Sequence, residues 1–471
     1  MPRSARFLLV VPLLLAVARS ADAQQSNAVA GGPAQRAMLV ARLDSLAADY
    51  LAQTPAAGMT IAVVSRGDTL LLKGYGERDR EKHLPVEAAT VYRIGSITKQ
   101  FTAAAVLRLV ENGSVKLDDP MTTYLPQYPQ WKGVTVRQLL NHTSGIHSYT
   151  SSDEWRKHWT DDLTPAALIG FVAKDTMDFA PGTKWSYNNT GYMLLGLLLE
   201  KVTKQPYAAL MQRDFFGPLG MKSATYCPTK PTDAAYAVGY TRAAGDFKLA
   251  QPLSMTHPYA AGALCMSVPD FLRWQSALMG GRIVKPATLV MMTGPESLLS
   301  GAKTTYGMGL APGTIGTHAD IQHGGSINGF STQQFWFPVD SLSIVTFVST
   351  DGADPDWLVR NVASAVFGMP VTPKVAPRVP LAAADRTKYV GEYDITLADG
   401  RILPFKIFVE GEELMGQAEG QGKAPLRYLG DDTFGADFDP NVRLFFKVEN
   451  GKVVSAKLRQ NGATMNVSRR P

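Results

Sequence analysis

Cysteine is scarce in this 471-residue chain: Cys227 and Cys265 are the only two. That excludes a disulfide-rich scaffold, a Cys-x-x-Cys centre and a lipid attached to a leader cysteine. It leaves open one disulfide or two buried free thiols. No His-Glu-x-x-His occurs among the seven histidines. His142 and His147 stand five apart in a loop-like stretch, so no metal or other cofactor is expected there, only structural or surface roles. Charge of one sign is also lacking. The formal net charge is +6, with no basic run interleaved with aromatics, and a nucleic-acid partner is not expected. Long apolar runs are missing too: Phe7 to Ala18 falls well short of the ~20 residues that a spanning helix needs, and no later run is longer.

That short run has a different meaning. Arg3 and Arg6 precede it and Ala21-Asp22-Ala23 follows, the pattern of a cleavable secretory leader over residues 1–23. A periplasmic or secreted protein without a membrane anchor is the expectation. Removing the leader's three arginines and one aspartate leaves a net charge of +4.

The pattern beyond the leader suggests a first domain over residues 24–369. Pro33 to Gln53 has helical apolar spacing, and Met59 to Val64 with Thr69 to Lys73 read as a hairpin. From Leu117 to about Met308 the pattern is helical with long loops, as at Thr135 to Leu140, Thr164 to Ala173, Tyr192 to Val202 and Pro269 to Leu278. Strands return at Gln333 to Pro338 and Leu342 to Ser349, and a helix follows at Trp357 to Phe367. This order predicts an α+β domain, an antiparallel sheet with helices on its faces and a helical insertion. Pro370, Pro373, Pro377 and Pro380 mark a stiff linker over residues 370–380. Over 381–471, short alternating runs (Tyr389 to Tyr393, Phe405 to Glu410, Leu426 to Leu429, Arg443 to Val448, Val453 to Arg459, Thr464 to Ser468) predict an all-β meander or small barrel. Asp399-Gly400, Asn450-Gly451 and Asn461-Gly462 supply its turns.

Three clusters carry chemistry. In Tyr92-Arg93-Ile94-Gly95-Ser96-Ile97-Thr98-Lys99, a serine stands three residues before a lysine where an apolar-periodic helix begins, so the Lys99 amine can reach the Ser96 hydroxyl and take its proton. A second Ser-x-x-Lys, Ser300 to Lys303, lies among glycines and threonines and reads as a solvated loop. The second cluster runs from Pro181 to Tyr192 and holds Tyr187-x-Asn189, the only Tyr-x-Asn among 17 tyrosines. Its phenol could share a proton with Lys99 and its amide could meet both Lys99 and a substrate carbonyl. The overlapping Ser186-x-Asn188 leaves the register open, and so does the reading of the segment as a polar turn. The third cluster is Gln322-His323-Gly324-Gly325-Ser326, just before a strand. Its glycines would let a substrate lie along the strand edge, with the Ser326 and Ser96 amides as an oxyanion hole.

Together these clusters resemble the serine β-lactamase and penicillin-binding-protein family, in its class C-like branch of D-alanyl-D-alanine carboxypeptidases, D-aminopeptidases and carboxylesterases. The resemblance spans Ala37 to Phe367 and includes Thr135 to Ile146, Gly262 to Trp274 and Tyr306-Gly307-Met308-Gly309. It implies a β-lactamase/transpeptidase-like fold, Ser96 as the acylated nucleophile, and Lys99 with Tyr187 as the proton-transfer pair. It also implies Asn189 as substrate ligand and His323 to Gly325 as the strand motif, and it favours the Tyr187/Asn189 register. The expected partner is a small-molecule or short-peptide substrate, a D-amino-acid peptide or small ester. A β-lactamase, or a sensor that acylates without turnover, is the alternative. Where class C β-lactamases carry Lys-Thr-Gly, this chain has His323-Gly324-Gly325. An imidazole of ordinary pKa ~6.5 would hold a carboxylate only on the acid side of neutrality, so selectivity for anionic substrates should fall between pH 5 and 8. The C-terminal region resembles lipocalin-like domains appended to such hydrolases, which implies a role over the active-site mouth or in oligomers.

Overall fold

The computed structural model describes residues 32–372 and 381–470, apart from 55, 232, 244–245, 398–400, 412, 437–438, 450 and 461–462. The leader, most of the proline-rich linker (373–380), the Asp399-Gly400 and Asn461-Gly462 turns, and Asn450 lie outside the described residues.

Helix α1 (Pro33–Gln53) leads into β1 (Gly58–Ser65), β2 (Asp68–Asp79) and the two-residue β3 (Leu84–Pro85). The helices that matter most for the site are α2 (Thr98–Glu111), α3 (Asn189–Thr203) and α4 (Val268–Met279). Strands β4 (Ala311–Ile315), β5 (His318–Ile327), β6 (Phe330–Phe337) and β7 (Leu342–Val348) then complete a seven-stranded sheet of order β3-β2-β1-β7-β6-β5-β4, and α5 (Pro355–Val366) follows. Every strand pairing within it among the described residues is antiparallel.

The two-residue period of β1 divides two cores. Met59, Ile61 and Val63 face α1 and α5, whose Tyr50 and Trp357 rings stack 6.0 Å apart. Ala62 faces the other way, with Val345 and Phe347, into the larger core around α2, α3 and α4. The sequence predicts an apolar stripe on α2, but every residue from Thr98 to Leu107 is buried. It is a central core helix. Phe101 stacks at 3.9 Å on Trp274 of α4, and the indole N–H of Trp274 donates to Gln100 Oε1 at 2.8 Å.

A smaller sheet supports the start of α2. Val91–Arg93 pairs with Leu264–Ser267, which pairs in turn with Thr225–Tyr226. Cys265 lies opposite Arg93 and forms a disulfide with Cys227, their Cα atoms 5.1 Å apart.

The C-terminal region is a closed eight-stranded barrel, β8 (Gly391–Thr396) to β15 (Ala463–Arg469) in chain order. It closes where Tyr393 and Ile395 pair with Arg469 and Val467. Tyr393, Ile395, Ile407, Phe434, Leu444, Phe446 and Val467 fill its centre as a packed core. Strands Glu413–Ala418 and Thr433–Ala436 are additions to the runs that the sequence predicts.

Candidate active site

Ser96 sits in a single 3-10 turn, Gly95–Ile97, between the short strand Val91–Arg93 and α2. Gly95 has φ +53, a left-handed conformation that glycine adopts without strain. A Cβ there would stand 3.0 Å from the Ser326 amide nitrogen. From the first turn of α2, the fully buried Lys99 reaches three oxygens: Asn189 Oδ1 at 2.9 Å, the Ala261 carbonyl at 2.8 Å and Ser96 Oγ at 3.2 Å. Burial holds its pKa well below the usual lysine range. A neutral amine has two N–H groups and one lone pair. The two carbonyl oxygens can only accept, so in the free amine they would take both N–H groups and leave the lone pair for the Ser96 hydroxyl.

Ser186 to Asn189 meets this pair from the other side, and the geometry separates the two registers. Asn188 is the N-cap of α3: its Oδ1 accepts from Gly191 N at 2.7 Å, and its amide donates to the Ile146 carbonyl. Asn189 reaches Lys99, while its Nδ2 donates to Thr150 Oγ1 at 3.1 Å. The Tyr187 hydroxyl lies beside Ser96, and Lys99 Nζ lies 4.7 Å from the centre of the Tyr187 ring. The residue is 37% exposed, but its hydroxyl end is turned to Ser96, and burial there raises its pKa above the ordinary phenol value.

The third cluster lies inside β5, a strand as the resemblance implies, and just before β6. Strand β4 pairs with β5 only as far as Gln322, so among the described pairings His323 to Ile327 have a partner on the β6 side alone. The glycines serve the protein's own packing. A Cβ on Gly325 would lie 2.1 Å from the Ile94 carbonyl oxygen and 2.3 Å from Thr332 Oγ1, and one on Gly324 would lie 2.7 Å from Gln333 Oε1. Without side chains there, the strand abuts the Ser96 turn and brings the Ser326 amide to it.

His323 requires a correction. It is 7% exposed, with Nδ1 2.6 Å from the Gly324 carbonyl and Nε2 2.8 Å from the Tyr306 hydroxyl. The carbonyl can only accept, so Nδ1 carries the proton and Tyr306 donates to Nε2. Burial, then the nearby Lys99, lowers its pKa to about 4. The ring is therefore neutral from pH 5 to 8, and the expected titration of substrate preference in that window is withdrawn.

Ser300 to Lys303 lies in an exposed loop, where Lys303 Nζ donates to Ser297 Oγ instead. Sequence reasoning missed two residues, Tyr306 and His142. His142 is 1% exposed, its ring centre 4.4 Å from that of Tyr187. Both lie in segments that carry the family resemblance, and that was the one signal available. Among the described residues no group of acids, histidines and cysteines could hold a metal, and no helix is long and apolar enough to cross a membrane.

The chain is similar to penicillin-binding protein 4* of Bacillus subtilis, with 25% identity over 78% of this chain and 85% of the relative. Among solved structures, the octameric penicillin-binding protein homologue from Pyrococcus abyssi has a TM-score of 0.66 at 25% identity, covering 91% of this chain and 100% of that one. The D-stereospecific amidohydrolase from Streptomyces sp. has a TM-score of 0.60 at 27% identity, covering 70% of this chain and 98% of that one. Residues 43–368 match the beta-lactamase family, and the chain belongs to it.

Proposed function

We propose that this protein is an exported serine hydrolase that cleaves an amide or ester bond through an acyl-enzyme on Ser96. The observation that carries this reading is the approach of the buried Lys99 amine to Ser96 Oγ at 3.2 Å, with Asn189 Oδ1 and the Ala261 carbonyl as its two other contacts. As Ser96 Oγ attacks the scissile carbonyl, its proton passes to Lys99, and the new oxyanion is held by the Ser96 and Ser326 amides. Tyr187 is a protonated phenol beside Oγ, placed to relay that proton to the leaving amine or alcohol. Water then releases the acyl group by the same steps in reverse roles.

The substrate is a D-amino-acid peptide or amide, or a small ester. The D-stereospecific action named for the Streptomyces relative supports the first, and the open edge of His323 to Ile327 would accept an extended chain. Efficient β-lactam hydrolysis is disfavoured, because the residue in the Lys-Thr-Gly position is a buried neutral imidazole. On this reading residues 1–23 are a leader, 24–369 the hydrolase and 381–471 an appended domain. Self-association through the barrel is part of the proposal, since the Pyrococcus abyssi homologue is octameric and covers 91% of the chain.

The test is a turnover panel of D-amino-acid anilides, p-nitrophenyl esters and a chromogenic cephalosporin, run with wild type and Ser96→Ala. Turnover of the first two that vanishes in Ser96→Ala, with a phosphonate mass adduct on Ser96, supports the reading. An adduct on another serine would overturn it.

A further inference from the structure

His142 lies outside the three clusters, yet it holds the second of them in place. Its backbone carbonyl accepts from Ser186 N at 3.0 Å, and its side-chain Nδ1 accepts from Asn188 N at 3.1 Å. Those two amides bracket Tyr187, and the second immediately precedes Asn189. The imidazole packs 4.4 Å from the Tyr187 ring, whose neighbours also include Lys99 Nζ at 4.7 Å. Tyr192 and Tyr306 enclose the imidazole at 5.2 and 4.7 Å.

Two observations mark the position as unusual. His142 has φ +62, a left-handed conformation that is uncommon outside glycine and tends to persist where the surroundings enforce it. Because Nδ1 accepts, the neutral ring carries its proton on Nε2, and Nε2 is buried with no hydrogen-bond partner among the described residues. An orphaned N–H in a core is costly, so a residue chosen for packing alone would be apolar here. The orphan accompanies the one imidazole function in use, the acceptor at Nδ1.

We propose that His142 is the positioning residue for Tyr187 and Asn189: its carbonyl and its Nδ1 fix the backbone on either side of Tyr187, and its ring sets the depth of the phenol against Ser96. The inference rests on the reading of Ser96, Lys99 and Tyr187 as the reacting set. A displaced phenol would be felt in the rate of the chemical step more than in substrate binding, since a 1 Å error in a reacting group can cost on the order of 10²-fold.

The experiment compares His142→Asn with His142→Gln, each assayed well below its own melting temperature, with Ser96→Ala as the control. Asparagine places an acceptor where Nδ1 stands; glutamine places its polar atoms near Nε2. His142→Gln should lose roughly 10- to 100-fold in kcat with KM within about threefold, and His142→Asn should recover most of that loss. Equal kcat for the two variants, or a change confined to KM or melting temperature, would overturn the proposal. If Ser96→Ala retains turnover, it is the underlying reading that fails. Histidine ¹⁵N spectra of the wild type give a second check that needs no variant. At neutral pH they should show the His142 ring neutral and protonated on Nε2, whereas an Nδ1-protonated or doubly protonated His142 ring would remove the acceptor and with it the proposal.

Discussion

Asn188 and Asn189 are adjacent, yet their side-chain oxygens serve separate purposes: Oδ1 of Asn188 caps α3 through Gly191 N, and Oδ1 of Asn189 accepts from Lys99. Asn188→Ala should therefore lower stability by roughly 1 kcal/mol or more, the usual scale for a lost N-cap. Asn189→Ala should melt close to wild type and lose kcat, because Lys99 loses one of the acceptors that orient its lone pair. Thermal melts and steady-state kinetics on both variants check the split. A kinetic loss in Asn188→Ala larger than in Asn189→Ala would reverse the assignment.

Lys99 accepts a proton only as the free amine, and burial pushes its pKa down. The acid limb of kcat/KM should accordingly lie well below the ordinary lysine value of about 10.4, with activity rising with pH through that limb. Lys99→Arg, which stays protonated, should lose roughly 10²-fold or more at every pH. A wild-type profile that climbs only near pH ~10 would mean that the amine is charged at rest.

The ratio of activity on a carboxylate-bearing substrate to that on a matched neutral ester should be flat between pH 5 and 8, because His323, with a pKa of about 4, is neutral throughout. A ratio that falls through this window would put the charge back on the imidazole. His323→Lys should lower the melting temperature, since it forces an ammonium into a 7% exposed site beside Lys99.

Asp320, on β5 and 2% exposed, has no hydrogen-bond partner among the described residues at either carboxylate oxygen, and burial raises its pKa from 3.8 to about 6. The folded state binds this proton more tightly than the unfolded state. Its contribution is present in full below the unfolded value and is lost as pH rises through about 6. Asp320→Asn should thus be nearly neutral at pH 4 and stabilising by up to roughly 3 kcal/mol at pH 8, from a shift of about two units. Denaturant unfolding at the two pH values measures this, and an equal effect at both would exclude titration as the cause.

Reduction of Cys227–Cys265 should lower stability by ~2–4 kcal/mol on loop-closure arguments. It should also slow turnover, because Cys265 lies opposite Arg93, three residues before Ser96. Melts and kinetics with and without reductant decide it, and unchanged values in both would show that the bond braces nothing.

The sequence made legible what is local. The hairpin of β1 and β2, strands β6 and β7, and helices α1, α3, α4 and α5 each carry a continuous apolar period, and the structure extends their ends by a few residues at most sites. Strands β4 and β5 lack a continuous apolar period, since Pro312, Gly313, Gly324 and Gly325 interrupt it, and only the family resemblance marks His323 to Gly325 as a strand. Those glycines answer to close approach by other parts of the chain, a tertiary demand with no local signature. The meander's turns were visible, but its closure depends on pairing β8 with β15 about seventy residues away. Ser96, Lys99, Tyr187 and Asn189 could be named from motif order, and the structure brings them together. His142 could not, because its acceptor role depends on a left-handed backbone that only the folded loop reveals.

The contact between Gly95, Gly325 and the Ser96 turn has one more consequence. Elements held apart by side chains can adjust by a change of rotamer; these are held together by the lack of side chains, at distances where one added methyl would collide. The gap between Ser96 and the Ser326 amide is thereby a gauge of fixed width. On the proposed reading it admits a flat carbonyl group and little else. The kind of bond that can react is then written into the backbone, while the residues around the rim remain free to vary in choosing which molecule delivers that bond.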